Sequence, residues 1–257
     1  MEFIYANLIN TTTQIAVNSN TGTASNLFNR DPLYQYYSDQ FANDLTTSSI
    51  NISFVSTTPV SRIALLDTNF KEFNIFYDGL TANSISLVGA DTATSSYTNN
   101  ADQYKYFRFD TIQVSSITIE AKSTITANQE KLLGTLVISD LNLSLTKIPS
   151  ADKYKPRIIP KQVVHKLSDG GTRIQTVRRK WETQLKLDYI SAPERDVLYD
   201  IYVSSQEFNF CPFGTATGWD GFLFECVWDG NFDFYEYSDN AASSGFSGTI
   251  SMKETPV

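Results

Sequence analysis

Ala24-Ser25-Asn26-Leu27-Phe28-Asn29-Arg30-Asp31-Pro32 and, about thirty residues further on, Pro59-Val60-Ser61-Arg62-Ile63-Ala64-Leu65-Leu66 decide the reading of this chain. The first stretch is loop chemistry: Ser, Asn, Asp and Pro bond or restrain their own backbone and favour turns. A turn is expected over residues 25–29. Within the second, Arg62 to Leu66 reads as a continuous apolar run, the pattern of a buried strand. Further strands are expected at 3–8, 14–17, 74–77, 84–88, 104–109, 116–120 and 132–145. Residues 50–54 alternate apolar and polar, as a half-buried strand does, and 74–77 lead into the turn pair Asp78-Gly79. Turn signals about every ten residues are the spacing of an antiparallel β-sandwich, here of about eight strands.

The first half ends at Pro149-Ser150-Ala151-Asp152-Lys153-Tyr154-Lys155-Pro156, which has a proline at each end and no apolar period. We place a linker over 149–156, a sandwich over 1–148 and a second β-domain over 157–257. In the second domain, Ser168-Asp169-Gly170-Gly171 separates strands 162–165 and 173–177 as a hairpin turn. Residues 181–189 alternate with odd positions inward. Ser191-Ala192-Pro193-Glu194 is a capping box with proline in the first turn. Val197, Leu198, Ile201 and Tyr202 follow at helical spacing, so one amphipathic helix is expected at about 192–204. Residues 222–228 and 231–237 are expected to form a hairpin through Asp229-Gly230. The fold class is mainly β: an N-terminal antiparallel sandwich plus a C-terminal sandwich or split barrel with one α-helix.

Composition narrows the function. The net charge of −8 argues against a sequence-independent nucleic-acid binder, which needs a basic surface. The charge is unevenly spread. Residues 151–190 carry ten Lys/Arg against four Asp/Glu, or +6, whereas residues 191–257 carry two against eleven, or −9. Opposite fields of this kind steer one surface onto another, including between copies of a chain. No run of eighteen apolar residues is present, so no membrane insertion by a helix is expected. The start Met1-Glu2-Phe3-Ile4-Tyr5 lacks a basic, then apolar leader, so secretion is not expected. Cys211 and Cys226, with the single histidine His165, are too few for a zinc site, and both thiols are read as buried and inert.

The two stretches quoted first resemble the opening of the discoidin-like, or galactose-binding-like, domains, over roughly residues 1–148. That resemblance implies a jelly-roll sandwich that binds through loops at one end. It makes Arg30, Asp31, Tyr34 and Tyr36, with Asp67 and Asn69 of the loop after 62–66, the candidate contacts for a carbohydrate or a neighbouring subunit. In the family this loop often helps hold calcium. Asp31 is the only candidate ligand retained, because Asn29, Leu33, Tyr34 and Tyr36 replace the family's other residues, so no metal and no other cofactor is expected.

The strand from Trp181, the capped helix, Glu207-Phe208-Asn209-Phe210 and residues 246–254 together resemble the C-terminal β-domains of tail-tube and distal-tail proteins of long-tailed bacteriophages. That likeness implies a homo-oligomeric ring, other virion tail proteins as partners, and a place at the tail tip or baseplate after synthesis in the host cytoplasm. No reacting centre is expected. There is no nucleophile elbow, phosphate loop or zinc helix, His165 lies in an alternating strand, and Asp233 and Glu236 fall on opposite strand faces. The expectation is a non-enzymatic tail component, with a stand-alone carbohydrate-binding protein as the alternative.

Overall fold

The alternating and apolar runs become long antiparallel strands, and two of them do the work of four expected ones. The computed structural model describes residues 1–29, 35–38, 43–84, 96–146, 154–166, 171–204, 206–212, 223–237 and 245–255. In chain order the elements are β1 (Glu2–Ile4), β2 (Ile15–Val17), α1 (Asn26–Asn29), β3 (Tyr36–Tyr37), β4 (Ser48–Thr68), β5 (Phe70–Tyr77), β6 (Leu80–Ser84), β7 (Ser96–Tyr97), β8 (Lys105–Thr124), β9 (Leu132–Ser139), β10 (Leu143–Ser144), β11 (Tyr154–Lys166), β12 (Thr172–Ile190), α2 (Ala192–Ser204), β13 (Phe208–Cys211), β14 (Phe224–Trp228), β15 (Asp233–Tyr237) and β16 (Gly245–Glu254). All strand pairs are antiparallel. The class is the mainly β one read from the sequence.

The sandwich runs β3-β9-β4-β8-β5-β6, with β2 on β4 and β7 on β5. The expected strands 50–54 and 62–66 are one strand, β4, whose register with β8 slips between Ser53 and Thr58 and again between Val60 and Arg62. Such irregularities bend a strand and let one ladder serve two layers. Ile50 and Ile52 from one end of β4 and Ile63 and Leu65 from the other close on a common core with Phe73, Phe107, Ile117 and Leu136. Asp78 and Gly79 both take positive φ, the turn that the pair predicts. Of the expected strand 84–88, Ser84 ends β6 and the remainder lies outside the described residues.

The second sheet runs β10-β1-β13-β14-β16-β12-β11, with β15 also on β16. This moves the expected domain boundary. Residues 3–8 shorten to β1, which pairs with β13, and Leu143–Ser144 pairs with β1. Both ends of the sandwich segment are therefore strands of the second sheet. The boundary was hidden because short strands at a sequence end look alike whichever sheet they join. Tyr154, Lys155 and Pro156 of the expected linker already pair with Leu185, Gln184 and Thr183, while 147–153 lie outside the described residues.

One face of this sheet packs on α2, whose bounds match the expected helix, through Leu198 and Ile201 against Leu185, Phe210, Ile250 and Met252. The helix start is held by Glu194, whose carboxylate accepts from the backbone N–H and hydroxyl of both Ser191 and Thr146. The other face meets the sandwich through a buried cluster of Ile4, Ala64, Leu66, Tyr106, Val137, Cys211 and Leu223. Within that contact Arg62 donates to both carboxylate oxygens of Glu2 from Nε (3.3 Å) and Nη2 (2.9 Å), and the Tyr106 hydroxyl donates to Glu2 Oε2 at 2.6 Å. Cys211 faces this contact and Cys226 the helix-side core, on opposite faces of the sheet; both are buried and they are not joined by a disulfide.

Candidate functional site

The expected site at the sandwich end divides three ways. Arg30, Asp31 and Tyr34 lie outside the described residues, and with them the calcium candidate. Tyr36 is fully buried, and its hydroxyl bonds to the Ser19 carbonyl and Ser48 hydroxyl, both at 3.2 Å. A stacking platform needs an open ring face, and the core occupies this one: Tyr36 is a packing residue here. Asp67 and Asn69 are brought together, but their polar groups are spent internally. Asn69 donates to the Glu130 carbonyl and accepts from the Leu132 N–H. Asp67, at φ +58°, accepts from Tyr104 (3.3 Å) and Gln35 (3.5 Å). Gly134 makes room for it, since a Cβ there would fall 2.7 Å from the Asp67 Cβ. Burial, with the neighbouring Asp67 carboxylate, pushes the Tyr104 phenol up to about 12.

The second sheet carries a groove that the sequence reading did not anticipate. β14 and β15 do not form the hairpin expected at Asp229-Gly230. Both run along β16: Trp228 pairs with Met252, and Asp233 with Thr249. They are two parts of one interrupted strand, in which residues 229–232 stand opposite only Ile250 and Ser251. The turn signal was real, with Gly230 at φ +118°, but it produces an outward bulge instead of a reversal. The last backbone bond before the bulge runs from the Asp229 N–H to the Ser251 carbonyl at 2.8 Å, and pairing resumes at Asp233 opposite Thr249.

An aromatic cluster pins the inner side of the bulge. Phe232 lies 4.6 Å from Phe234, 5.2 Å from Tyr199, 5.6 Å from Tyr202 and 5.7 Å from Trp228, ring centre to ring centre. The outer side opens a cavity of about 370 Å³ among Lys186, Asp229, Asn231, Asp233, Tyr235, Thr249 and Ser251. Lys186, Thr249 and Asp233 stand in one cross-strand row by register. Tyr235, two residues along the same face, is 58% exposed. Lys253 holds Asp229 at 2.8 Å. Alternation marks Tyr235 and Asp233 as outward residues, but a tight hairpin would have given them no hollow to line.

The features expected to argue against catalysis can be placed. His165 is exposed on β11. Asp233 and Glu236, three residues apart on β15, point to opposite faces. Among the described residues no group of three or more His, Cys, Asp or Glu side chains is placed to hold a metal ion, and no helix is long and apolar enough to cross a membrane.

No family model matches the sequence, and no curated protein matches it. Solved structures similar to part of this chain include carbohydrate-binding modules and a Ruminococcus gnavus GH29 fucosidase. Chitosan-binding module 1 of a chitosanase/glucanase from Paenibacillus sp. IK-5 shares 15% identity, covers 52% of this chain and 99% of its own, and gives a TM-score of 0.39. Module 2 of that enzyme, in complex with chitotriose, shares 18% over 48% of this chain and 93% of its own, at 0.36. A pectin-binding carbohydrate-binding module shares 13% over 55% and 93%, at 0.36.

Proposed function

We propose that this chain is a non-enzymatic carbohydrate-recognition protein. The observation that supports this reading best is the groove on the second sheet. It is open and lined by polar side chains, with an exposed tyrosine beside it, which is the composition of a site that holds hydroxylated ligands by a few directional groups and one apolar face. The test is a glycan array with the intact chain, followed by calorimetric titration of any hit. Saturable binding is expected. Absence of binding to every glycan at millimolar concentration would end this reading.

A second reading is favoured by the β11–β12 hairpin: an oligomeric structural component, as in a virion tail. β12 pairs with β16 only over residues 182–190. Among the described residues, 158–166 and 172–181 therefore pair in strand ladders only with each other, as a two-stranded ribbon about 30 Å long. Isolated ribbons are marginal in water, and open edges invite pairing. This one exposes Ile158 (65%) and Val164 (56%) on a strongly basic stretch, while the residues after 190 are acidic. Contact with a second copy would cover the ribbon. Light scattering across salt concentrations tests this: a particle larger than 28.8 kDa that dissociates at high salt and in Ile158→Lys is expected. A monomer under all conditions would refute it.

A further inference from the structure

We propose that the groove over β16 binds a neutral pyranose chain, with Tyr235 as the stacking face and Lys186 and Asp233 as the partners of its hydroxyl groups. This rests on the carbohydrate-recognition reading and assigns the ligand class and the residues. The site is built by the interrupted strand. Four residues opposite two cannot lie flat, and the Phe232 ring, drawn inward onto Tyr199, Tyr202 and Trp228, keeps the surplus from collapsing over the sheet. Gly248 completes the brace. A Cβ there would fall 2.6 Å from the Asp233 carbonyl oxygen and 2.7 Å from the Phe234 ring, so its bare backbone lets β15 press close.

The ligand chemistry follows from what lines the outer side. Lys186 and Asp233 flank Thr249 on neighbouring strands, so their Cα atoms stand about 10 Å apart, two strand spacings. No ion pair joins them, and neither side chain bonds to another described residue. Lys186 offers three N–H donors and Asp233 only acceptors, so hydroxyls bridging the gap can accept at one end and donate at the other. Between them the Thr249 and Ser251 hydroxyls do either.

Tyr235 lies two residues from Asp233 on the same face, about 7 Å along β15, with an open ring against which the apolar C–H face of a sugar can lie. Charge selects against ionic ligands. Lys186 and Lys253 balance Asp229 and Asp233, and Lys253 already pairs with Asp229. A peptide would instead seek a free strand edge or an apolar pocket, and the floor here is the pleated face of paired strands.

The experiment is titration of the intact chain, by calorimetry and NMR, with neutral trisaccharides of glucose, galactose and N-acetylglucosamine, and with a glucuronate-containing trisaccharide for comparison. Saturable binding of a neutral trisaccharide is expected. Tyr235→Ala and Asp233→Asn should each weaken it about tenfold, as loss of a contact of about 1.4 kcal/mol does. Tyr37→Ala, a 41% exposed tyrosine on the sandwich, should leave it unchanged. Both tyrosines are surface residues, and circular dichroism checks that each variant is folded.

Binding lost in Tyr37→Ala but kept in Tyr235→Ala would overturn the groove while leaving the recognition reading standing. Preference for the glucuronate ligand would overturn its neutrality. No binding of any sugar would overturn both.

Discussion

Replacing Arg62 by methionine removes the cation that joins the sandwich to the first strand of the second sheet. Arg62 donates to both oxygens of Glu2, and the two side chains are only 12% and 5% exposed. In the variant, the Glu2 carboxylate keeps the Tyr106 hydroxyl at 2.6 Å but loses the guanidinium that neutralises it, with little water to replace it. Breaking a buried pair from one side costs about 3–5 kcal/mol, because the remaining charge stays desolvated. For a chain of this length a urea m-value of about 3 kcal/mol/M is expected, so a loss of about 4 kcal/mol lowers the midpoint by about 1.3 M. Removing both partners, in Glu2→Met with Arg62→Met, leaves apolar groups of similar size and should recover most of that loss. Equilibrium unfolding in urea, followed by tryptophan fluorescence, reads both effects. A midpoint shift under about 0.3 M for Arg62→Met, or a double variant no more stable than the single one, would refute the reasoning.

Glu194→Ala should cost about 2–3 kcal/mol, since the carboxylate accepts four hydrogen bonds from Thr146 and Ser191; thermal unfolding measures it. Burial raises the Glu194 pKa, but the Thr146 and Ser191 donors outweigh it and hold the group below the ordinary glutamate value. Its stabilisation is therefore present above about pH 4.3 and lost as pH falls through the depressed value, and the wild-type minus Glu194→Ala difference should shrink there. The Tyr104 phenol, raised to about 12 by burial and by Asp67, contributes stability below about pH 10 that is lost as pH rises toward 12. A difference absorbance titration against Tyr104→Phe should show one ionisation near 12, and a step near 10 would contradict it. Gly248→Ala should separate β15 from β16 and lower stability by about 1–3 kcal/mol, because its Cβ meets backbone at 2.6 Å. Proteolytic cleavage near residue 230 should speed up in that variant, and an unchanged cleavage rate would count against the bracing role of Gly248.

Local pattern by itself determined the mainly β class, the strands from alternation, the Asp78-Gly79 turn and the helix Ala192–Ser204 with its Ser191/Glu194 cap. These depend on interactions within a few residues, where spacing along the chain is also spacing in space. Only the tertiary structure decided the rest. Residues 2–4 and 143–144 joined the second sheet because a strand takes whatever edge long-range packing presents, and two or three residues carry no mark of which. Asp229-Gly230 has the chemistry of a hairpin. It became a bulge because β16 is long enough to pair with both flanking strands while Phe232 found an aromatic cluster to enter. Tyr36 and Tyr235 are the same residue type, each in a short strand. The first was buried and the second exposed by which layer covered each face, a fact of assembly that no local pattern records.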